Sequence, residues 1–453
     1  MKKLIALLLA VVMVMGLAAC GSKTTTETKA PTEAKVDTPA TEAKTDAPAA
    51  AGSVYYLNFK PEFDQALQGL AASYTEKTGV PVKVVTAASG DYSNTLNAQM
   101  GKDGAPTVYN IGNMSGLKDW DEYALDLTGT ALAGELATND FNLYNEAGEL
   151  KAMGYCYESF GIIVNTKLLA DAGHSLDEIK DFASLKAVAD DIHARAAELG
   201  FDAFSSAGLD GSSSWRFSGH LANMPLYYEF RDDGVTEQPA EIKGTYLDNF
   251  RNIWDLYITD SAADATALST ATGDQSEAEF GEGKAVFYQN GTWEYAALTA
   301  DKFNLNPDEI AMIPIYCGVD GEEKAGLCSG TENCWAINSQ AKEEDIQASL
   351  DFLYWLVTDP DASAVLVEQL GAVPFKSCPA SANKFIVDGN ALLADGKYAV
   401  TWAFNYTPNV DSWRATVVTA LAAYSAAPTD ANWEAVKTAF VDGWAIEYKT
   451  VNG

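Results

Sequence analysis

The sequence predicts an α/β protein built as two lobes, and three observations predict it. Strand-like apolar runs alternate with helical stripes along most of the chain, which implies mostly parallel sheets with helices against them. Three short apolar stretches, Gly161–Val164, Ile310–Ile315 and Leu370–Pro374, read as crossings, so that each lobe is assembled from two segments of chain. The length of 453 residues, 47% of them hydrophobic, is enough for two cores.

The chain is organised around Tyr155–Lys167. Gly161–Val164 is apolar, β-rich and too short for a helix. Asn165 and Thr166 can cap a helix through Leu168, Leu169 and Ala172, with Gly173 as its stop. The polar-aromatic start of the stretch, Tyr157 and Glu158, is then placed at a cleft between lobes. The same pattern also fits an ordinary βα connection inside one lobe.

Before it, Val54–Phe59 reads as a strand and Lys60-Pro61-Glu62 as a turn into a helix. That helix carries Phe63, Leu67, Leu70, Ala71 and Tyr74 at helical spacing and stops at Gly79. Val82–Val85 and Thr107–Ile111 are the next strands, with the loop Thr86–Tyr92 and a helix through Leu96 and Met100 between them. Loops that follow strands gather at one sheet edge, where ligands bind. After the central stretch, Leu185, Val188, Ala189, Ile192, Ala196 and Leu199 stripe a helix stopped by Gly200. A strand precedes Asn290-Gly291-Thr292-Trp293. Further helical stripes run through Ile346, Leu350, Leu353 and Leu356, and through Trp433, Val436, Phe440 and Trp444.

The first 19 residues read as an export leader: Lys2-Lys3, then the apolar run Leu4–Leu17, too short to span a bilayer comfortably. Leu17-Ala18-Ala19-Cys20 looks like a bacterial lipoprotein signal, with cleavage before Cys20 and lipid (palmitate among it) on its sulfur. An ordinary secretory signal is the alternative. No later segment is long and apolar enough to cross a membrane, so the lipid is the only anchor expected. Residues 20–52 hold no aromatic residue and repeat Thr-Glu-Ala-Lys, the composition of a disordered tether. Its root-mean-square reach is on the order of 30 Å.

The formal charge of −33 argues against nucleic acid and anionic lipid as partners. Beyond Cys20 five cysteines remain: Cys156, Cys317, Cys328, Cys334 and Cys378. An odd number cannot all pair within one chain, and the preferred reading is five buried free thiols, with a Cys328–Cys334 bridge as the alternative. With three histidines and no metal, nucleophile-elbow or phosphate-loop motif, no cofactor, metal ion or catalytic group is expected. Paired-carboxylate catalysis stays open, because 63 acidic residues offer many pairs.

What the loops do carry is aromatic residues beside amides, hydroxyls and carboxylates: Ser89/Tyr92, Asn113, Tyr157/Glu158, Asp210/Trp215, Asn290/Trp293, Glu332/Asn333/Trp335 and Trp402/Asn405. A sugar ring offers a C–H face that stacks on an indole and hydroxyls that need planar donors and acceptors, so this mixture suits a carbohydrate. For a single tryptophan, core packing is the competing explanation. Trp293, in a polar loop after a strand, is the one assigned to ligand.

Three motifs carry a family resemblance: Tyr74-Thr75-Glu76-Lys77-Thr78-Gly79-Val80; Gly161-Ile162-Ile163-Val164-Asn165-Thr166-Lys167; and Phe280-Gly281-Glu282-Gly283-Lys284-Ala285-Val286 leading to Gly291-Thr292-Trp293. From Val54 onward the chain resembles the family 1 extracellular solute-binding proteins of bacterial carbohydrate ABC transporters, which share the maltose-binding-protein-like fold. The resemblance implies the type II periplasmic-binding-protein-like fold, two mixed sheets flanked by helices and joined by crossing hinge strands. Lobe 1 is then 54–160 with 315–371, and lobe 2 is 161–314 with 372–453.

It also implies which positions meet the ligand: Lys60 and Glu62 in the first loop, Ser89 and Tyr92 in the second, Asn113 in the third, Glu158 at the hinge, and Asp210, Trp215 and Trp293 in the second lobe. Trp402, Asn405 and Trp413 lie near the family's C-terminal aromatic contact. Glu332 and Trp335, outside the maltose-type pattern, are added from their chemistry. The implied function is a monomeric lipoprotein on the outer face of the bacterial cytoplasmic membrane. It captures a carbohydrate, an oligosaccharide in the first place, and hands it to ABC permease subunits. The rivals are a surface-anchored carbohydrate-active enzyme and a receptor for a non-sugar such as a peptide or polyamine.

Overall fold

The computed structural model describes residues 52–453. The leader, Cys20 and the tether as far as residue 51 lie outside the described residues. Twelve strands occur there in chain order: β1 Val54–Asn58, β2 Val82–Thr86, β3 Val108–Asn110, β4 Leu143–Tyr144, β5 Leu150–Gly154, β6 Glu158–Asn165, β7 Asp202–Phe204, β8 Ala285–Gly291, β9 Ile310–Ile313, β10 Ala325–Gly330, β11 Cys334–Ile337 and β12 Tyr398–Thr401.

They form two six-stranded mixed sheets, one to each lobe. The first runs β2-β1-β3-β11-β5-β4, the second β12-β10-β6-β8-β7 with β9 also on β6. In the first sheet β1 is parallel to β2 and β3, as strand–helix–strand units require. Strand β11 enters it antiparallel between β3 and β5. In the second, β6 is wholly buried and pairs antiparallel with β8, Phe160 opposite Gly291.

The expected lobe boundary at residues 314/315 is corrected. Strand β9 pairs Ile313 with Ile162, and β10 pairs Gly330 with Glu158, so both stay in the second sheet. These two short strands share one edge of β6 in succession. The chain reaches the first sheet only through Thr331–Asn333. It crosses in the other direction at Tyr155–Tyr157 and again after Gly371, where Tyr157 bridges to Ala372.

Local chemistry sets the element ends. The helix Asp64–Thr78 stops at Gly79, whose φ of 78° is left-handed and costs glycine nothing. The Asn165 side chain accepts from the Leu168 amide at 3.0 Å and opens the helix Thr166–Asp171. The stripe through Leu185 is broken at Arg195 into helices Phe182–Ala194 and Ala196–Leu199.

The first lobe buries Leu67, Tyr74, Trp335 and Phe352; the second buries Trp254, Trp413, Trp433 and Trp444. Cys328 stands in the second sheet and Cys334 in the first, and all five cysteines among the described residues are free, with Cys378 only half-buried. Among the described residues no helix is long and apolar enough to cross a membrane.

Candidate functional site

The crossings converge on a buried polar knot. Lys60 follows β1, at the turn the sequence marks with Pro61, and Asn58 braces it: the Lys60 amide donates to Asn58 Oδ1 at 3.1 Å. Lys60 Nζ donates to Glu158 Oε1 at 2.6 Å and lies 2.8 Å from Glu62. Asn333 Nδ2, from another crossing, donates to Glu158 Oε2 at 2.6 Å. Lys60 is 4% exposed and Glu158 5%. Burial by itself would depress the Lys60 pKa, but the carboxylates of Glu158 and Glu62 outweigh it and hold the ammonium well above its ordinary value. One first-lobe loop is thereby tied to two hinge segments.

Two tryptophans flank this knot, and both are positioned by glycine. Gly291 ends β8 and Gly330 ends β10, the two strands on either side of β6. The Trp293 ring lies so close to Gly291 that a methyl group there would collide with it. The Trp402 ring lies likewise on Gly330, where a methyl group would stand 2.5 Å from it. The absence of a Cβ is what lets each indole approach its strand end so closely.

Trp293 neighbours Trp215, with ring centres 5.9 Å apart, and Lys60 Nζ is 5.9 Å from its centre. Phe160 of β6 stacks on His220 at 4.0 Å, and His220 is 5.2 Å from Trp293 and 6.4 Å from Trp402. A contiguous and largely buried aromatic cluster therefore joins the two tryptophans. His220 belongs to the π-helix Arg216–Leu221, an irregularity often found at functional sites. Beside Trp293, Glu294 is pushed up to about 8 by desolvation and by the Glu277 carboxylate.

The lobes also meet at their rims. Gly90, with φ of 77°, follows Ser89 in the second loop, and a methyl group on it would stand 2.6 Å from the Gly211 carbonyl oxygen. Lys118 of the first lobe reaches Asn452 at 3.4 Å.

The residues singled out from sequence fall into three sets. Lys60, Glu62, Glu158, Trp215, Trp293, Trp402 and Asn405 gather where the crossings join the two sheets, and Glu332 faces Arg414 there at 3.6 Å. Ser89 is exposed at the rim loop, and half-buried Asp210 holds its own turn by accepting from the Ser212 amide at 3.0 Å.

Four sit elsewhere. Asn113 caps the helix Met114–Trp120, accepting from the Gly116 amide at 2.9 Å. The Tyr92 ring is buried in the first lobe, and its hydroxyl accepts from the Asn110 amide at 2.6 Å. Trp335 is 1% exposed, stacks on Tyr155 at 4.6 Å and donates to the Tyr56 hydroxyl at 2.6 Å. Trp413 is likewise buried, in the second lobe.

His220, Glu294, Phe404 and Arg414 were not singled out. For Arg414 a signal existed, its place beside Trp413. A π-helix leaves no periodicity by which His220 stands out.

Known proteins of similar shape agree with this architecture. RafE in complex with raffinose superposes with a TM-score of 0.71 at 16% identity, covering 88% of this chain and 99% of that one. A chitin oligosaccharide binding protein gives 0.69 at 15%, covering 89% and 100%. A sugar transporter from Bacillus licheniformis in complex with stachyose gives 0.66 at 15%, covering 87% and 100%. At such identities the likeness is one of fold: two-lobed and periplasmic-binding-protein-like. No curated protein matches the sequence significantly. The family described as bacterial extracellular solute-binding protein matches residues 69–390, well over half of the chain. This chain, two-lobed with a polar and aromatic cluster where its crossings meet, therefore belongs to the bacterial extracellular solute-binding proteins.

Proposed function

We propose that this protein captures a carbohydrate, an oligosaccharide above all, between its lobes and delivers it to the transmembrane subunits of an ABC importer. The observation that carries the reading is the pair of tryptophans seated on Gly291 and Gly330. Each flat indole has charged or amide groups within reach, Lys60 near Trp293 and Asn405 near Trp402. That is what a sugar needs, a C–H face to stack and hydroxyls to bond. The solved structures of similar fold whose names state raffinose, stachyose and chitin oligosaccharides support the same class.

In this reading sugar docks on one lobe and closure completes contacts that exist only when the rims meet. Lys60 then acts as the link, since it binds the hinge through Glu158 and faces Trp293 of the other lobe. A lipid on Cys20 and the tether after it would hold the body at the outer face of the membrane. No covalent step is needed.

The test is a thermal-shift screen of the purified protein against mono- and oligosaccharides, with product analysis of every hit. A ligand specific to the folded state raises the melting temperature. Intact sugar with a raised Tm, removed by Trp293→Ala, is the expected result. Cleaved sugar would establish a carbohydrate-active enzyme instead. A Tm unmoved by any sugar would overturn the carbohydrate assignment and turn the screen to peptides and polyamines.

A further inference from the structure

At the Trp402 end of the cleft, polar groups stand unpaired in one place. Arg414 projects from the helix Val410–Ala426 and lays its guanidinium over Phe404, 5.1 Å from the ring centre. Its Nε is buried and has no hydrogen-bond partner among the described residues. Nη2 stands 3.6 Å from Glu332 Oε1, inside ion-pair range and outside hydrogen-bond range. The two side chains are only 17% and 21% exposed.

Around them, Trp402 Nε1, Asn405 Oδ1 and His220 Nδ1 are also buried without partners. Phe404 connects them: it lies 5.3 Å from Trp402 and 6.5 Å from His220. Gly219 makes room, since a methyl group there would stand 2.8 Å from Arg414 Nη2.

A buried polar atom without a partner costs about 1–3 kcal/mol, and native proteins keep such atoms few. Four such atoms in one patch point to partners from outside the chain, water or a ligand. Their chemistry defines those partners. A guanidinium and a carboxylate free to touch would close into a bidentate pair, but these two stop short. The group that satisfies both must accept from Arg414 and donate to Glu332, which a hydroxyl does and an ionised group does not. Two adjacent hydroxyls would use the guanidinium fork fully. A ligand carboxylate would confront Glu332, and a ligand ammonium would confront Arg414. Desolvation with Arg414 and Arg216 nearby keeps His220 uncharged, so it too offers a neutral partner to a neutral group.

We propose that Arg414 and Glu332 form a specificity pair that is bridged by a neutral vicinal diol of the ligand and that rejects uronic acids and amino sugars at this end of the cleft. The proposal rests on the carbohydrate reading and adds to it which sugars are admitted.

The test is calorimetric titration of the purified protein with raffinose, maltotriose, xylotriose and chitotriose as neutral probes, and with glucuronoxylotriose and the deacetylated glucosamine trimer as charged ones. The wild type is expected to bind at least one neutral probe ten times more tightly than either charged probe. Glu332→Gln should weaken the neutral probe tenfold or more and narrow the gap to the uronate. Arg414→Gln should weaken it likewise and narrow the gap to the amine. Both variants are melted alongside, and the wild-type preference needs no variant.

Neutral binding with unchanged affinities in both variants would overturn the pair while leaving the carbohydrate reading intact. Wild-type preference for a charged probe would overturn it as well. Failure of every sugar, neutral and charged, would bring down the carbohydrate reading and the pair together, a pattern distinct from the other two.

Discussion

Lys60 and Glu158 lie 2.6 Å apart with side chains 5% and 6% exposed, so a first-lobe loop is fixed to the start of β6 by a buried ion pair. Truncating one partner leaves the other charge desolvated, which costs about 3–5 kcal/mol. Lys60→Met should therefore lower unfolding free energy by about that much in urea denaturation. The double variant Lys60→Met/Glu158→Gln should recover part of the loss. A single variant as stable as the wild type would show that water reaches the pair. Because the Lys60 pKa is raised, its contribution is fully present below the unfolded lysine value of about 10.4 and is lost only at more alkaline pH.

Glu294 titrates in the opposite region. Its folded pKa of about 8 lies above the ordinary glutamate value near 4.5, so the folded protein holds this proton more tightly than the unfolded chain. Its contribution is complete below about pH 4.5 and declines as pH rises through about 8. Glu294→Gln can still accept from Asn290 and removes the titration. The variant should match the wild type in Tm near pH 4 and exceed it near pH 9. Parallel Tm–pH curves would refute this.

The contact of Gly90 with Gly211 exists only while the rims meet. Gly90→Ala adds a methyl group 2.6 Å from the Gly211 carbonyl oxygen and strains a left-handed φ. The strain, about 1 kcal/mol, applies in any arrangement of the lobes. The collision applies to the closed arrangement alone. Titration calorimetry with a sugar found to bind should then show a tenfold or greater loss of affinity, beside a drop of only a few degrees in Tm. Unchanged affinity would mean that the rim opens without cost.

Trp335 separates core from cleft. Trp335→Phe loses the hydrogen bond to Tyr56 and part of the stack on Tyr155. A loss of about 1–3 kcal/mol in stability is expected, with sugar affinity within a factor of two of wild type. Trp293→Ala should do the reverse, keeping most of the stability and losing at least tenfold in affinity. If Trp335→Phe weakens binding as much as Trp293→Ala, the core position assigned to Trp335 is wrong.

Much of this protein is written in local sequence. Gly161–Asn165 determined a buried strand and its helix cap, because burial on both faces and a side-chain cap are properties of neighbouring residues. The helix through Leu67 and Tyr74 and its stop at Gly79 follow from spacing and from glycine's tolerance of positive φ. The place of Trp293 just after a strand was legible from the Asn-Gly-Thr run before it, and its ring packs partly buried against the second core.

Tertiary structure decided the rest. Ile310–Ile313 is apolar enough to be a crossing, and only its pairing with β6 keeps it in the second sheet. Trp335 and Trp402 look alike in sequence, but one stands on a strand between β3 and β5 and the other follows a strand at the sheet edge, on Gly330. Lys60, Glu158 and Asn333 are far apart along the chain, as are Glu332 and Arg414. No local pattern encodes their meeting, because it is set by where the crossings bring two sheets together.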